Sequence, residues 1–131
     1  MPHVERLGAP GPTASEFETL LEPHSPVVAG TARALRGLLT AAFPEAVESV
    51  DFSNKLLAVG LSMKTRDLVF AIIPHSVHVN LQVVDGVDLP DPDGMIEGTG
   101  KRIRHVKVRS VEAAASPALR AIVDAQVASR R

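Results

Sequence analysis

The chain has 131 residues, 45% of them apolar and 22% charged, which is the size and balance of one folded domain. Fourteen basic residues against fifteen acidic ones leave a net charge of -1, which argues against a general polyanion binder. Cysteine is absent, which excludes disulfides, thiolate metal centres and thiol catalysis, and Trp and Tyr are absent too, so the stacking platforms of single-stranded nucleic-acid binders are missing.

The N-terminal stretch carries Glu5, Arg6 and three prolines and has no apolar centre, unlike a secretion leader. The longest apolar run, Leu68 to Ile73, is six residues, against the ~20 of a membrane helix. The cytoplasm is the expected compartment, with neither nucleic acid nor membrane as a partner. Pro2, Gly8, Pro10, Gly11 and Pro12 predict a flexible arm over residues 1–14, leaving 15–131 as a single domain.

Ser15 followed by Glu18 reads as a capping box that opens a short helix with Phe17, Leu20 and Leu21 on one side. Ser25 with Pro26 behind it starts a second helix, whose stripe is Val28, Ala32, Leu35, Leu39 and Phe43. Residues 46–52 read as a weak strand. Lys55 to Ser62 and Asp67 to Ile73 are apolar on both parities, as central strands covered on two sides would be. The short link between those two predicts an antiparallel hairpin. Ser76 to Val83 alternates, with Val77, Val79, Leu81 and Val83 on one face and Ser76, His78, Asn80 and Gln82 on the other. A long Gly/Pro/Asp-rich loop follows, from Asp85 to Gly100. Arg104 to Ser110 is a further strand, with Val106 and Val108 inward and His105, Lys107 and Arg109 outward. Ser116 and Pro117 open the last helix. The layout predicts a two-layer α+β fold of about five mostly antiparallel strands, with two N-terminal helices and one C-terminal helix.

The run His78-Val79-Asn80-Leu81, the loop Leu89-Pro90-Asp91-Pro92-Asp93-Gly94, the segment Gly98-Thr99-Gly100-Lys101-Arg102-Ile103-Arg104-His105 and the closing Ser116-Pro117-Ala118-Leu119-Arg120 helix resemble the YdhG-like proteins, domain of unknown function 1801. The resemblance spans roughly residues 16 to 128. It implies an antiparallel sheet with helices packed on it. Some members of that family are described as frataxin-like intracellular iron chaperones, and most have no assigned activity. Many carry an aromatic, proline-containing segment after the first strand, where this chain reads Asp51-Phe52-Ser53-Asn54-Lys55.

The glycine-rich segment is neither a P-loop, since Met95 and Arg102 stand where a Gly and a Ser or Thr are required, nor a dinucleotide fingerprint, since Ile103 replaces the third Gly. Its backbone N–H groups remain candidates for an anion nest. The first functional reading is therefore a binding domain for a small anionic ligand. Gly98, Thr99, Gly100, Lys101, Arg104 and His105 would hold it, with His78, Asn80 and Lys107 on the neighbouring strand faces. The plainer alternative is a tight turn feeding a solvated, basic sheet face. A second reading, from the resemblance, is an iron chaperone using Glu45, Glu48 and Asp51, with the loop carboxylates Asp85, Asp88, Asp91 and Asp93 as the other group. A third is an interaction module that forms a homodimer through the sheet face or an edge strand. His75 and His78, three apart on a strand, are expected on opposite faces. Gly94 does not align an EF-hand, no serine sits in a nucleophile elbow, and no catalytic residue, metal or cofactor is assigned.

Overall fold

The computed structural model describes residues 2–131. In chain order the elements are β1 (Glu5–Arg6), α1 (Pro12–Leu21), α2 (Pro26–Ala42), β2 (Val47–Asp51), β3 (Leu56–Gly60), β4 (Leu68–Pro74), β5 (Val79–Val84), β6 (Ile96–Glu97), β7 (Ile103–Val108), α3 (Val111–Ala114) and α4 (Pro117–Arg130). The α+β class and the antiparallel sheet are as expected. The sheet has seven strands rather than about five, in the order β1-β2-β3-β4-β5-β7-β6. The extra strands, β1 and β6, are two residues each, too short for any periodicity to reveal. The unexpected helix is α3, a single turn capped by the Ser110 hydroxyl.

Local capping chemistry explains two helix starts. The Ser25 hydroxyl accepts the Val28 N–H, and the Ser116 hydroxyl accepts the Leu119 N–H, each with proline at the first helical position. The first helix departs from this pattern. It begins at Pro12, and Ser15 lies inside it. Its N-terminus is capped from another element: the Glu5 carboxylate on β1 accepts the Thr13 N–H at 2.7 Å and the Thr13 hydroxyl at 2.8 Å. The backbone N–H of Thr13 is the chief cause that holds the Glu5 carboxyl below its ordinary value, with the hydroxyl bond second. The expected flexible arm is therefore corrected from residue 5 onward. Glu5–Arg6 pairs with β2, and Leu7 is buried in the core.

One face of the sheet carries the core. Register aligns Val50, Leu57, Ile72, Leu81 and Val106 in a single row across five strands. The row beside it contains Val59, Phe70 and Val83. These pack against Phe17, Leu35, Leu39, Phe43, Leu119 and Val123 from the helices. Phe43 meets Phe70 edge to face, with ring centres 6.4 Å apart, a geometry worth ~1 kcal/mol beyond area burial. A register shift between Val59 and Gly60 bulges β4, so that Val69 and Phe70 both join the core. Gly60 is required there, because a Cβ would collide with the backbone of Asp67 and Leu68.

The C-terminal helix is tied down by side-chain donors. Gln126, fully buried, donates to the Val69 and Val84 carbonyls at 3.0 and 2.6 Å. Arg130 reaches the Leu68 carbonyl at 2.9 Å and the Arg66 carbonyl at 2.7 Å. Both satisfy carbonyls that the bulge and the strand end leave outside the ladder.

Two expectations about the strands are corrected. Val77 is 71% exposed, because β5 begins only at Val79 and Ser76-Val77 is the two-residue link of the β4–β5 hairpin. Central strands β3 and β4 were expected to be covered on both faces. Their second face carries Leu56, Ala58, Leu68, Ala71 and Ile73, none of which belongs to the core cluster, and it meets the N-terminal segment and Glu16 of α1 only at the cavity beside Ala58 and Leu68. No described helix is long and apolar enough to cross a membrane.

Glu48 is the one fully buried carboxylate among the described residues. Arg36 grips it with two bonds, Nε to Oε1 at 2.8 Å and Nη2 to Oε2 at 2.6 Å. Breaking a buried pair strands the remaining charge, so Glu48→Gln should lose about 3 kcal/mol or more of unfolding free energy. Replacing both partners, as Arg36→Met with Glu48→Leu, should cost less than the two single changes summed. Urea unfolding midpoints check both statements, and a Glu48→Gln protein as stable as wild type would refute the first.

Candidate functional site

Strands β5 and β7 are neighbours, with Asn80 opposite Lys107 and Gln82 opposite His105. The inward residues between them, Val79, Leu81, Val106 and Val108, are buried in the core. Asn80, Gln82, His105 and Lys107 therefore share the face turned away from the helices, and all four are half-buried. His78 and Arg109 extend the same register by one residue. The polar face expected from alternation is thus formed.

Its charge is concentrated at one end. His78, Lys107 and Arg109 are close enough that both cations depress the His78 imidazole. Burial is the largest cause of that lowering, and His75, Lys107 and Arg109 add to it in that order. The nearest counter-charge is Glu97, 3.7 Å from the Lys107 ammonium. No described carboxylate is in ion-pair contact with His78 or Arg109. Asn80 Oδ1 is shut off from solvent, and the Asn80 side chain lies beside the His78 imidazole, where their hydrogen bond opposes the other causes and raises its value.

His75 and His78 are corrected relative to the sequence reading. They flank the hairpin link, where the His75 N–H donates to the His78 carbonyl at 2.8 Å. A turn brings the two side chains together, whereas a continuous strand would separate them. Their rings stack with centres 4.8 Å apart. His24 adds a bond from α1's exit, its Nδ1 lying 3.1 Å from the His75 carbonyl oxygen.

The glycine-rich segment lies elsewhere. Gly98, Thr99, Gly100 and Lys101 form the exposed turn between β6 and β7, at the Ile103 end of β7. Four strand residues separate that end from Lys107, about 14 Å at the usual rise. The turn accounts for both glycines: Gly98 has φ +110°, and a Cβ at Gly100 would crowd the Ile103 carbonyl oxygen. Arg104 belongs to the opposite face, in register with Val83, and its Nε donates to the Gly100 carbonyl at 2.8 Å. Arg102 is held by Asp85 through a two-pronged pair at 2.8 and 3.2 Å. Of the nine residues singled out, His78, Asn80, His105 and Lys107 come together on one face. Arg104 does not join them, Gly98 borders His105, with a Cβ there lying 3.6 Å from Nδ1, and Thr99 to Lys101 sit at the far end.

The carboxylates considered for iron are also dispersed. Glu48 is buried against Arg36 on the core side, Glu45 pairs with Arg131 at 2.8 Å, and Asp51 accepts from Asn54 on the other face. Asp91 is engaged as a turn former, taking the Met95 and Ile96 N–H groups at 2.7 and 2.9 Å. No group of three or more metal-ligating side chains converges among the described residues.

Two features escaped sequence reasoning. A cavity of about 580 Å³ lies against the open face over β2 and β3, with Val4, Phe52, Ala58, Met63 and Leu68 in its lining. The signal for it was the double-sided apolarity of β3 and β4. A smaller cavity of about 310 Å³ separates the Pro90–Met95 loop from Ala118, Ala121 and Ala125 of α4.

Because folding lowers the His78 value below 6.5, the unfolded chain binds the extra proton. The stability tied to His78 is complete above that value and declines as pH falls through it. In a proton NMR titration His78 should therefore titrate below an ordinary histidine, and Lys107→Ala should move it upward. An unmoved value in Lys107→Ala would separate the two groups.

Comparison with protein-family models, with curated proteins and with solved structures finds no match for this chain.

Proposed function

We propose that this protein is a small binding domain whose ligand carries a phosphate or carboxylate group, received on the open sheet face between β5 and β7. The observation that supports it is the cluster of His78, Lys107 and Arg109, three basic groups against one ion-paired carboxylate, Glu97 at 3.7 Å from Lys107. Unbalanced cations on a half-buried surface repel one another, and an anion placed among them removes that cost. Guanidinium, ammonium and imidazolium groups all make charge-assisted hydrogen bonds to anionic oxygens. The likeness to YdhG-like proteins is in keeping with the helix-backed antiparallel sheet and leaves the ligand open.

This reading moves the weight of the site along the strands. The Gly98–Lys101 turn becomes a structural hairpin end, and Lys101 an outlying charge. His105 and Gln82 flank the anion seat on its inner side.

An anion beside His78 favours the imidazolium, so binding takes up a proton. Because His78 is held below its ordinary value, affinity for sulfate, whose charge is constant near neutral pH, should rise as pH falls below the ordinary histidine value. By calorimetry, Lys107→Ala and Arg109→Ala should each weaken phosphate binding about tenfold, a loss of ~1.4 kcal/mol. Lys101→Ala should leave it within about twofold. The opposite ranking, with Lys101→Ala the damaging change, would return the ligand to the glycine turn and overturn the proposed seat.

A further inference from the structure

We infer that the open sheet face seats an amphiphilic anion: a linear acyl chain lies across β2 to β4, and its carboxylate reaches the basic end on β5 and β7. This rests on the anion-binding reading and names the class of ligand.

The first support is the register of the open face. Ser49, Ala58, Ala71, Gln82 and His105 form one continuous row across β2, β3, β4, β5 and β7. The row is small in the middle, and Ser49 and Ala71 are only 6% and 4% exposed, Ser49 lying under the N-terminal segment, where its hydroxyl donates to the His3 carbonyl at 2.6 Å. Leu56 and Ile73 stand to one side of it, Leu68 and Met63 to the other. The cavity of about 580 Å³ opens onto this row at Ala58, within the ~300–1,000 Å³ of small-molecule sites.

A second support is apolar surface with nothing on it. Phe52 and Val4, both on the cavity wall, are 47% and 49% exposed. An acyl chain laid there would bury them. From Ala58 to His105 the face spans three strand spacings, about 14 Å, and Lys107 lies two residues further along β7, a reach of about 16 Å in all. A medium-length acyl chain covers that distance, whereas a helix about 10 Å across would stand above the trough rather than enter it.

Charge then fixes one orientation. The basic groups lie on β5 and β7. The acidic groups of the cavity, Glu16 and Asp51, lie at the β1–β2 end, and each already has a partner, His3 for Glu16 and Asn54 for Asp51. A chain with one negative end is attracted at the first location and repelled at the second.

Calorimetry with acetate, octanoate, decanoate and dodecanoate below their micelle concentrations tests this. Each methylene that becomes half-buried should tighten binding about twofold. Phe52→Ser removes one wall at an exposed position and should weaken dodecanoate severalfold while phosphate binding holds. Ala58→Leu fills the trough and should abolish the chain-length dependence, with a thermal melt confirming that it folds. Decanoate binding no tighter than acetate, while phosphate still binds, would overturn the acyl inference alone. Absence of both acetate and phosphate binding would overturn the anion reading with it. A stable dimer that dodecanoate does not dissociate would assign the face to a second copy and also overturn the inference.

Discussion

A carboxylate removed from water must be met by charge and by hydrogen bonds, or it will not stay ionised. Glu48 is met by both. Arg36 supplies two donors, and the Gly8 N–H and Thr13 hydroxyl supply two more at 3.3 and 3.2 Å. Those partners come from α2, from the segment after β1 and from the first turn of α1. One side chain on β2 thus gathers three otherwise separate pieces of chain. Thr13 shares its hydroxyl between Glu48 and Glu5, two carboxylates that face each other across the β1–β2 pair. Without Arg36 that opposition would be repulsive, and β1 would have little reason to dock. The guanidinium of Arg36 also stands over the Phe17 ring, 5.9 Å from its centre. The ion pair is therefore continuous with the apolar core as well as with the sheet edge.

This arrangement leaves the sheet asymmetric. Most of what ties the N-terminal segment and the helices together acts on one face, with the Ser49–His3 bond the exception on the other, and the helices pack on the first. The two ends of the sheet are closed by strands of two residues, which offer little free ladder to another chain. What stays open is the opposite face of five longer strands. Its β5–β7 half is polar, as an exposed antiparallel face ordinarily is. Its β2–β4 half is largely apolar, with Leu56, Leu68 and Ile73 around a row of small residues at Ser49, Ala58 and Ala71, which solvent exposure alone does not explain.

Most of the interior was legible because it depends on local rules. Ser25 and Ser116 cap their helices with chemistry contained in four residues, and the alternation of Val79 to Val83 names the core face of β5 without help. The errors came from partners distant in the chain. Ser15 has the residues of a capping box, yet the helix starts earlier because Glu5 offers a better acceptor from β1. His75 and His78 obey strand alternation only if the strand continues, and the hairpin link between them breaks it. At the candidate site, the shared face of Asn80, Gln82, His105 and Lys107 was readable from parity. By the same parity Arg104 sides with Val106 and Val108, so its exclusion was already written in the alternation. The separation of the Gly98–Lys101 turn from the basic end was not, since it depends on the short pairing of β6 with β7.

The residues at 58 and 71 carry the remaining argument. Alanine is a poor strand former, and central strands ordinarily take β-branched or aromatic side chains. On the core face of the same strands the chain follows that habit, with Val59, Phe70 and Ile72. On the open face it places alanine opposite alanine, in register with Ser49 on one side and Gln82 on the other. Backbone geometry does not demand this, because neither position has a left-handed φ. Larger residues there would raise β-propensity and cover more of the sheet. Small ones give up both; at Ala58 they leave the cavity room, whereas Ala71, 4% exposed, is covered by its neighbours. On the anion-binding reading, the propensity forgone at those two positions is the cost of a seat built on the face that the core does not use.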